Sequence, residues 1–463
     1  MKKHDLNGII FACIIVLYIV GQFLIGTYDP QAQKFVFSAP ADVDFLYYGA
    51  ITNQLLDHFP PENPAFCNEK LTQPFLQYYP AALLAKMVNP YNAIRILNVV
   101  YLIIAGFLMR RFFPENYGFP LIVLFAGSAV WPTLNSSGVD FIARGFTHVP
   151  SFILLIIALY GRRPVARILA IFLAAFTNGY LMLIFLPFLA VLSLWKREKQ
   201  HLLVLAGGIL GLALASIYLS SAAPQFSPFS LITQSFTSIA ASGLLTGKFD
   251  PLEIIKHALP FVVLGFIFFN REMVVLLIIS LIFGAFIHYN PFFPIFMVYF
   301  AGSMMITSKL APTRWKAALG KIVIAVLVAG FLISAYQKYT PFRGAYYPRY
   351  DSNLDKGVSW ILKNTGRDDS FMALTADEKD LALIMQYRPV YLGYIGHLSH
   401  LGLAWKERYD ALLRFYQTGI APRGIVYALY GPIERKYFPN ASPILAKFKI
   451  AYKDDALAIY RLN

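Results

Sequence analysis

Charge is what this chain has least of. Only 14% of its 463 residues are Asp, Glu, Lys or Arg while 57% are hydrophobic, a balance that excludes an ordinary water-soluble domain. Acidic residues are the scarcer sign, 25 against 40 basic ones, for a formal charge of +15. That surplus does not indicate nucleic acid. The basic residues stand in short clusters between apolar runs, as placement in cytoplasmic loops would produce. Cysteine is nearly absent: Cys13 falls in the first apolar run and Cys67 in the loop after it, which excludes a disulfide framework and any metal-type cysteine spacing. The chain also lacks a Walker A, GxGxxG or HExxH pattern, internal repeats and low-complexity tracts.

What is present is a series of apolar segments near 7–27, 96–109, 116–132, 147–161, 168–195, 202–220, 258–270, 273–289, 291–308 and 318–336. A helical span needs roughly 20 such residues, so the chain reads as a polytopic membrane protein. The first segment is too long for a signal peptide and has no nearby small-residue cleavage site, so it reads as an uncleaved span. Segment 168–195 is flanked by basic clusters on both sides, Arg162, Arg163 and Arg167 before it and Lys196, Arg197 and Lys199 after it. One crossing would put one of these clusters outside, against the positive-inside tendency. Thr177-Asn178-Gly179 permits a turn at its middle. Two short helices, 168–177 and 180–195, entering and returning on the same side, resolve the conflict. The expectation is about eleven transmembrane or half-membrane helices with a cytoplasmic N-terminus.

The polar stretches 28–95, 133–146 and 221–257 then face away from the cytoplasm. Pro80 to Met87 reads as a short helix along the membrane surface. From residue 341 the texture changes: helical patterns near 357–363 and 405–416 alternate with strand patterns near 371–374, 389–393, 425–429, 448–452 and 456–460. That alternation predicts a small C-terminal α/β domain, residues 341–463, outside the cytoplasm. Residues 1–340 form the membrane domain, with 28–95 as its first extracytoplasmic loop.

Three groups of residues carry the candidate chemistry. The first is Asp42 and Asp44, placed where the opening span meets water, with Glu62 between prolines further along the same loop. Ionisable groups at a bilayer are costly and commonly functional. The alternative is a solvated loop with an aspartate capping a helix that starts near Phe45. The second group is Asp140, Arg144 and His148, whose spacing of four puts them on one helical face. Arg144 suits bidentate capture of a phosphate, a geometry Lys cannot match. Asp140 could join Asp42 or Glu62 around a divalent cation, which takes oxygen ligands; whether one is used stays open. The third is Lys256 and His257, either headgroup contacts or a second grip on phosphate. His397 and His400 have no third ligand near them and read as structural.

A first span followed by a large extracytoplasmic loop with an early acidic motif resembles the GT-C superfamily of membrane glycosyltransferases. That superfamily includes the protein mannosyltransferases and the aminoarabinose transferases that modify lipid A. The stretch Phe59-Pro60-Pro61-Glu62-Asn63-Pro64, followed by Gln77-Tyr78-Tyr79-Pro80, resembles a loop element of bacterial members. The split helix pair at Asn178 and the small C-terminal domain are similar as well. The resemblance implies a general base at Asp44 or Asp42, with Asp44 favoured because it is nearer the expected helix. It also implies a donor sugar on a polyprenyl phosphate and an extracytoplasmic glycan, lipid or protein acceptor. Two other classes are the alternatives: a transporter or flippase of lipid-linked saccharides, and an O-antigen polymerase or ligase. A carrier of that kind is expected to bury charge within its spans and to show repeated halves, and this chain does neither.

Overall fold

The computed structural model describes residues 3–23, 41–56, 61–71, 76–88, 90–114, 141–222, 258–286 apart from 260, 266 and 269, 292–307, scattered positions within 318–329, 352–374, 388–393 and 405–462. They are mainly helical, with a small mixed sheet near the C-terminus. The chain divides into two compact units. One comprises Met1–Gly26, Arg95–Tyr218 and Ser227–Arg343; the other comprises Thr27–Ile94, Leu219–Phe226 and Gly344–Asn463.

The first unit is built from apolar helices: α1 (Lys3–Phe23), α4 (Pro90–Phe112), α5 (Phe141–Tyr160), α6 (Pro164–Thr177), α7 (Gly179–Lys196), α8 (Lys199–Ala222), α9 (Arg271–Phe286) and α10 (Phe292–Ile306). Among the described residues two of them, over Asn92–Phe112 and Lys199–Tyr218, are long and apolar enough to cross a bilayer; five more are shorter apolar helices. The described structure thus holds fewer full spans than the apolar runs led us to expect, and the run 116–132 lies outside the described residues.

Large apolar side chains cover the outside of this unit. Val100, Ile104 and Phe107 on α4, and Leu203, Leu210 and Leu214 on α8, are all exposed. Such a surface suits hydrocarbon, where each polar group must find its partner inside the protein. The hydroxyls obey that demand by bonding one turn back: Ser193 donates to the Leu189 carbonyl at 2.7 Å, Ser280 to Leu276 at 2.7 Å and Ser303 to Tyr299 at 2.7 Å.

The expected break at Asn178 is present. Its backbone (φ −156°, ψ 86°) leaves the helical region, and its side-chain oxygen accepts from Leu181 N at 3.4 Å, capping α7. Glycines of α8 reveal the direction of the two short helices. A Cβ on Gly207 would meet Ile168, one on Gly211 would meet Phe172 and Ala175, and one on Gly179 would meet Leu212. Helix α8 therefore runs parallel to α6 and antiparallel to α7, so α6 and α7 form a hairpin. Both basic clusters lie at its open end, where Arg167 Nη1 donates to Gln200 Oε1 at 3.1 Å and Nε to the Ala158 carbonyl at 2.8 Å.

The second unit contains α2 (Ala41–Gln54), α3 (Tyr78–Ala85), α11 (Ser352–Asn364), β1 (Phe371–Met372), α12 (Trp405–Thr418), β2 (Tyr427–Tyr430), α13 (Pro432–Tyr437), α14 (Ala441–Leu445), β3 (Lys449–Lys453) and β4 (Ala458–Arg461). The sheet order is β1-β2-β4-β3, with β1 and β2 parallel and the other pairs antiparallel. Its strands alternate less than the sequence suggests, because β2 is buried on both faces. The expected strand 389–393 is reduced to a single bridge between Val390 and Phe371. Glu434, in the first turn of α13, is buried and accepts from Leu374 N at 2.8 Å and Gly431 N at 2.9 Å, tying that helix to the end of β1.

Asp454 closes the β3–β4 hairpin. It accepts from Leu457 N at 2.7 Å, Ala456 N at 2.9 Å and Tyr452 Oη at 2.6 Å. Burial pushes its carboxyl up, but these hydrogen bonds and Lys356 outweigh that and hold it below the usual aspartate range.

Two stability predictions follow from this packing. Gly211→Ala drives a Cβ to 2.8 Å from the Phe172 carbonyl oxygen, which as helix backbone cannot move aside. It should cost about 1–3 kcal/mol, read as a lowered melting temperature of the detergent-solubilised chain. For Asp454→Ala the sign follows from linkage. The unfolded chain binds more protons, so the stabilisation is complete above the ordinary value of 3.8 and is lost as pH falls through the lower native one. The melting difference between wild type and variant should be full at neutral pH and shrink in acid below that value.

Candidate active site

Helix α2 carries the acidic pair. It begins at Ala41, four residues before the expected start, so Asp42 and Asp44 both lie in its first turn rather than in a loop before it. Carboxylates are in general favoured at the positive end of a helix dipole. Two helical positions two residues apart stand about 200° apart around the axis, so the pair does not share one face. By the same register, position 44 lies on the side of α2 that carries Tyr47 and Tyr48.

That side is braced twice. The Tyr48 and Tyr78 rings lie 5.8 Å apart, joining α2 to α3, and Ala50, Ile51 and Thr52 are buried further along the helix. Tyr47, also buried, donates its hydroxyl to Asn63 Oδ1 at 3.4 Å. Burial and the neighbouring Tyr48 push the Tyr47 hydroxyl well above its ordinary range, which keeps it protonated as a donor.

Asn63 belongs to a tight loop over residues 61–71. Its backbone N–H donates to the Glu69 carbonyl at 2.7 Å, Leu71 N donates to Pro61 O at 2.9 Å, and Glu62 bridges Lys70. Pro61 and Pro64 have no N–H to satisfy, and the carbonyl of each is used: Pro64 O accepts from Val390 N at 2.9 Å. The loop then continues as an extra strand-like edge. Cys67 N donates to Val390 O at 2.9 Å and Gly393 N to Ala65 O at 2.7 Å, while Tyr391 N on the same segment donates to Phe371 O of β1 at 2.7 Å.

Arg408, from α12, fastens this edge. Its Nη1 donates to the carbonyls of Cys67 at 2.9 Å and Tyr391 at 3.0 Å, and its guanidinium lies 3.6 Å from the Phe66 ring centroid. Glu69 adds an ion pair at 3.5 Å. Burial pushes the Cys67 thiol up to about 11 despite the nearby guanidinium. Arg408, Asn63 and Tyr47 were not among the residues that the sequence singled out. Only the proline-rich loop element containing Asn63 gave a signal.

The remaining candidates are placed as follows. Glu62 is half-buried in the loop of the second unit, so Asp42, Asp44 and Glu62 belong to one compact unit. Arg144 and His148 lie in α5 of the first unit. Asp140, Lys256, His257, His397 and His400 lie outside the described residues. Among the described residues, no three His, Cys, Asp or Glu side chains gather as a metal site would.

No protein-family profile matches the sequence, and no curated relative does. Solved structures do match. ArnT from Cupriavidus metallidurans bound to undecaprenyl phosphate aligns with a TM-score of 0.53 at 11% identity over 98% of both chains. Its apo form gives 0.53 at 12% identity over 98% of this chain and 97% of that one. The oligosaccharyltransferase AglB from Archaeoglobus fulgidus, in complex with an inhibitory peptide and a dolichol-phosphate, gives 0.47 at 11% identity over 93% and 70%. Over nearly its full length, then, this chain has the fold of ArnT.

Proposed function

We propose that this chain is an integral membrane glycosyltransferase that moves a sugar from a polyprenyl-phosphate carrier to a glycan, lipid or protein outside the cytoplasm. The observation that carries the reading is the ArnT fold over nearly the whole chain, since that protein has been crystallised with undecaprenyl phosphate bound. The apolar outer surface of the helical unit supports a multi-pass place in the plasma membrane, with the N-terminus cytoplasmic and residues 341–463 outside. The hairpin of α6 and α7, with its basic clusters at one end, supports that orientation.

In the proposed reaction an acceptor hydroxyl or amine gives its proton to a carboxylate of α2. The freed electron pair forms a bond to the anomeric carbon. The bond from that carbon to the phosphate oxygen breaks, and its electrons leave on the lipid phosphate. A base held at hydrogen-bond distance contributes about 10²–10⁴-fold. Asp44 is the base because its register places it on the braced side of α2, and Asp42 is its neighbour in the same turn. Arg144 is assigned to the departing phosphate, where a planar guanidinium binds two oxygens at once. Glu62, Lys256 and His257 are assigned to substrate. Asp140 would supply an oxygen ligand to a divalent cation if the reaction used one, and no step above depends on it.

The test is release of undecaprenyl phosphate from a panel of undecaprenyl-phosphate sugars by the purified full chain with extracted envelope acceptors. Asp44→Asn should lower the rate by about 10²–10⁴-fold, with protein yield unchanged, and Asp42→Asn should lower it less. Turnover that survives both substitutions removes the base assignment. A protein that moves the intact donor across vesicles without cleaving it is a carrier instead.

A further inference from the structure

We infer that the C-terminal part of the chain takes part in the transfer by holding the acid-bearing helix in place, with Arg408 as the positioning residue. The inference rests on the reading of α2 as the carrier of the base. It concerns contacts within one compact unit.

The contacts form a continuous path. Arg408 grips Cys67 O at 2.9 Å and Tyr391 O at 3.0 Å, so one guanidinium joins the loop to the segment beside β1. The Phe66 ring lies against that guanidinium at 3.6 Å, which fixes the loop laterally. Three main-chain hydrogen bonds, from Val390, Cys67 and Gly393, set the register of the two segments. Gly393 is needed for that approach, because a Cβ there would stand 2.6 Å from Ala65 Cβ and 2.9 Å from its carbonyl oxygen. The loop in turn holds Asn63, which turns its Oδ1 to Ala65 N at 3.0 Å and to the Tyr47 hydroxyl at 3.4 Å. Tyr47 is three residues from Asp44, about 4.5 Å along the helix axis.

The loop's own bonds leave its far side to be held from outside. Asn63 N to Glu69 O, Leu71 N to Pro61 O and the bridge between Glu62 and Lys70 close its base, whereas Asn68 at its tip adopts a left-handed φ of 65°. Its buried residues Ala65, Phe66 and Cys67 are those that meet the C-terminal segment and Arg408. Removing the grip should let the loop drift and with it one of the two braces of α2. A shift of the order of 1 Å in a reacting group costs up to about 10²-fold in rate. Capture of the donor phosphate would be affected less, since Arg144, to which it is assigned, lies outside the loop that Arg408 holds.

The experiment compares the full chain in nanodiscs with Arg408→Ala, Arg408→Lys, Asn63→Ala and Arg435→Ala, using the same undecaprenyl-phosphate sugar panel. Arg435 is an exposed-side control in the same unit, bonded to the Asp455 carbonyl away from the loop. Arg408→Ala should lower kcat about 10- to 100-fold with KM for the donor within about 3-fold of wild type, and Arg408→Lys should recover part of the loss. Arg435→Ala should match wild type. In a Cys13→Ser background, Cys67 should resist maleimide in the wild type and react in Arg408→Ala, which reports release of the loop without reference to turnover. Wild-type kcat in Arg408→Ala, or a raised KM with kcat unchanged, overturns the inference; an inactive Asp44→Asn alongside leaves the base assignment standing. If Arg408→Ala does not fold, Arg408→Lys and Asn63→Ala decide, and wild-type kcat in either overturns it. A wild type that releases no undecaprenyl phosphate from any donor removes the reading beneath the inference and the inference with it.

Discussion

The second unit depends on a short set of main-chain hydrogen bonds between residues 64–67 and 390–393. These segments are more than 300 residues apart in sequence, and neither qualifies as a regular strand. Each such bond contributes only about 0.5–1.5 kcal/mol net, but leaving the same groups buried and unpaired would cost more than forming them gains. Pro61 and Pro64 lower the demand further by presenting carbonyls alone. Arg408 then satisfies two carbonyls at once where the backbone has no further donor to offer. The result is a loop whose conformation is set by the far end of the chain.

The first unit answers the same requirement in an apolar setting. Helix interiors there satisfy their own backbone, and serine hydroxyls turn back to carbonyls four residues earlier. Where the chain must reverse, at Asn178, the side chain of that same residue accepts from the buried Leu181 N–H. Gly211 lets α8 press against the backbone of the hairpin, where a Cβ would stand 2.8 Å from the Phe172 carbonyl oxygen, while Gly207 and Gly208 leave room for the side chains of Ile168 and Leu186. One physical demand, that buried backbone groups be paired, shapes both the helix hairpin and the composite sheet edge.

That demand also explains what was legible in the sequence. The break between α6 and α7 could be read because charge placement and turn chemistry both bear on it locally: flanking basic clusters and Asn178-Gly179. In the C-terminal part the two longer helices and all four strands were legible from periodicity within each segment, whereas the short helices α13 and α14 were not. Helix α2 was legible only in part. Its start was placed at Phe45 because Asp42 and Asp44 look like loop residues, whereas the helix begins at Ala41 and its terminal N–H groups favour acids there. The contact of the 61–71 loop with residues 388–393 left no local trace. It depends on which edge of the sheet is free, and that is a property of the folded domain. Arg408 was unreadable for the same reason: in sequence it is one more cation on an amphipathic helix.

The arrangement of α2 bears on which carboxylate can act as the base. Both Asp42 and Asp44 lie at the same end of α2. What separates them is register. Tyr47 and Tyr48 fix one side of α2 against the loop and α3, and position 44 lies one turn before them on that side, whereas position 42 does not. A catalytic group gains from being held, because the orientational freedom it would otherwise lose in the transition state has been removed beforehand. In the proposed reaction the braces on α2 therefore favour Asp44 on physical grounds that are independent of its nearness to the expected helix, and they connect that helix to the far end of the chain.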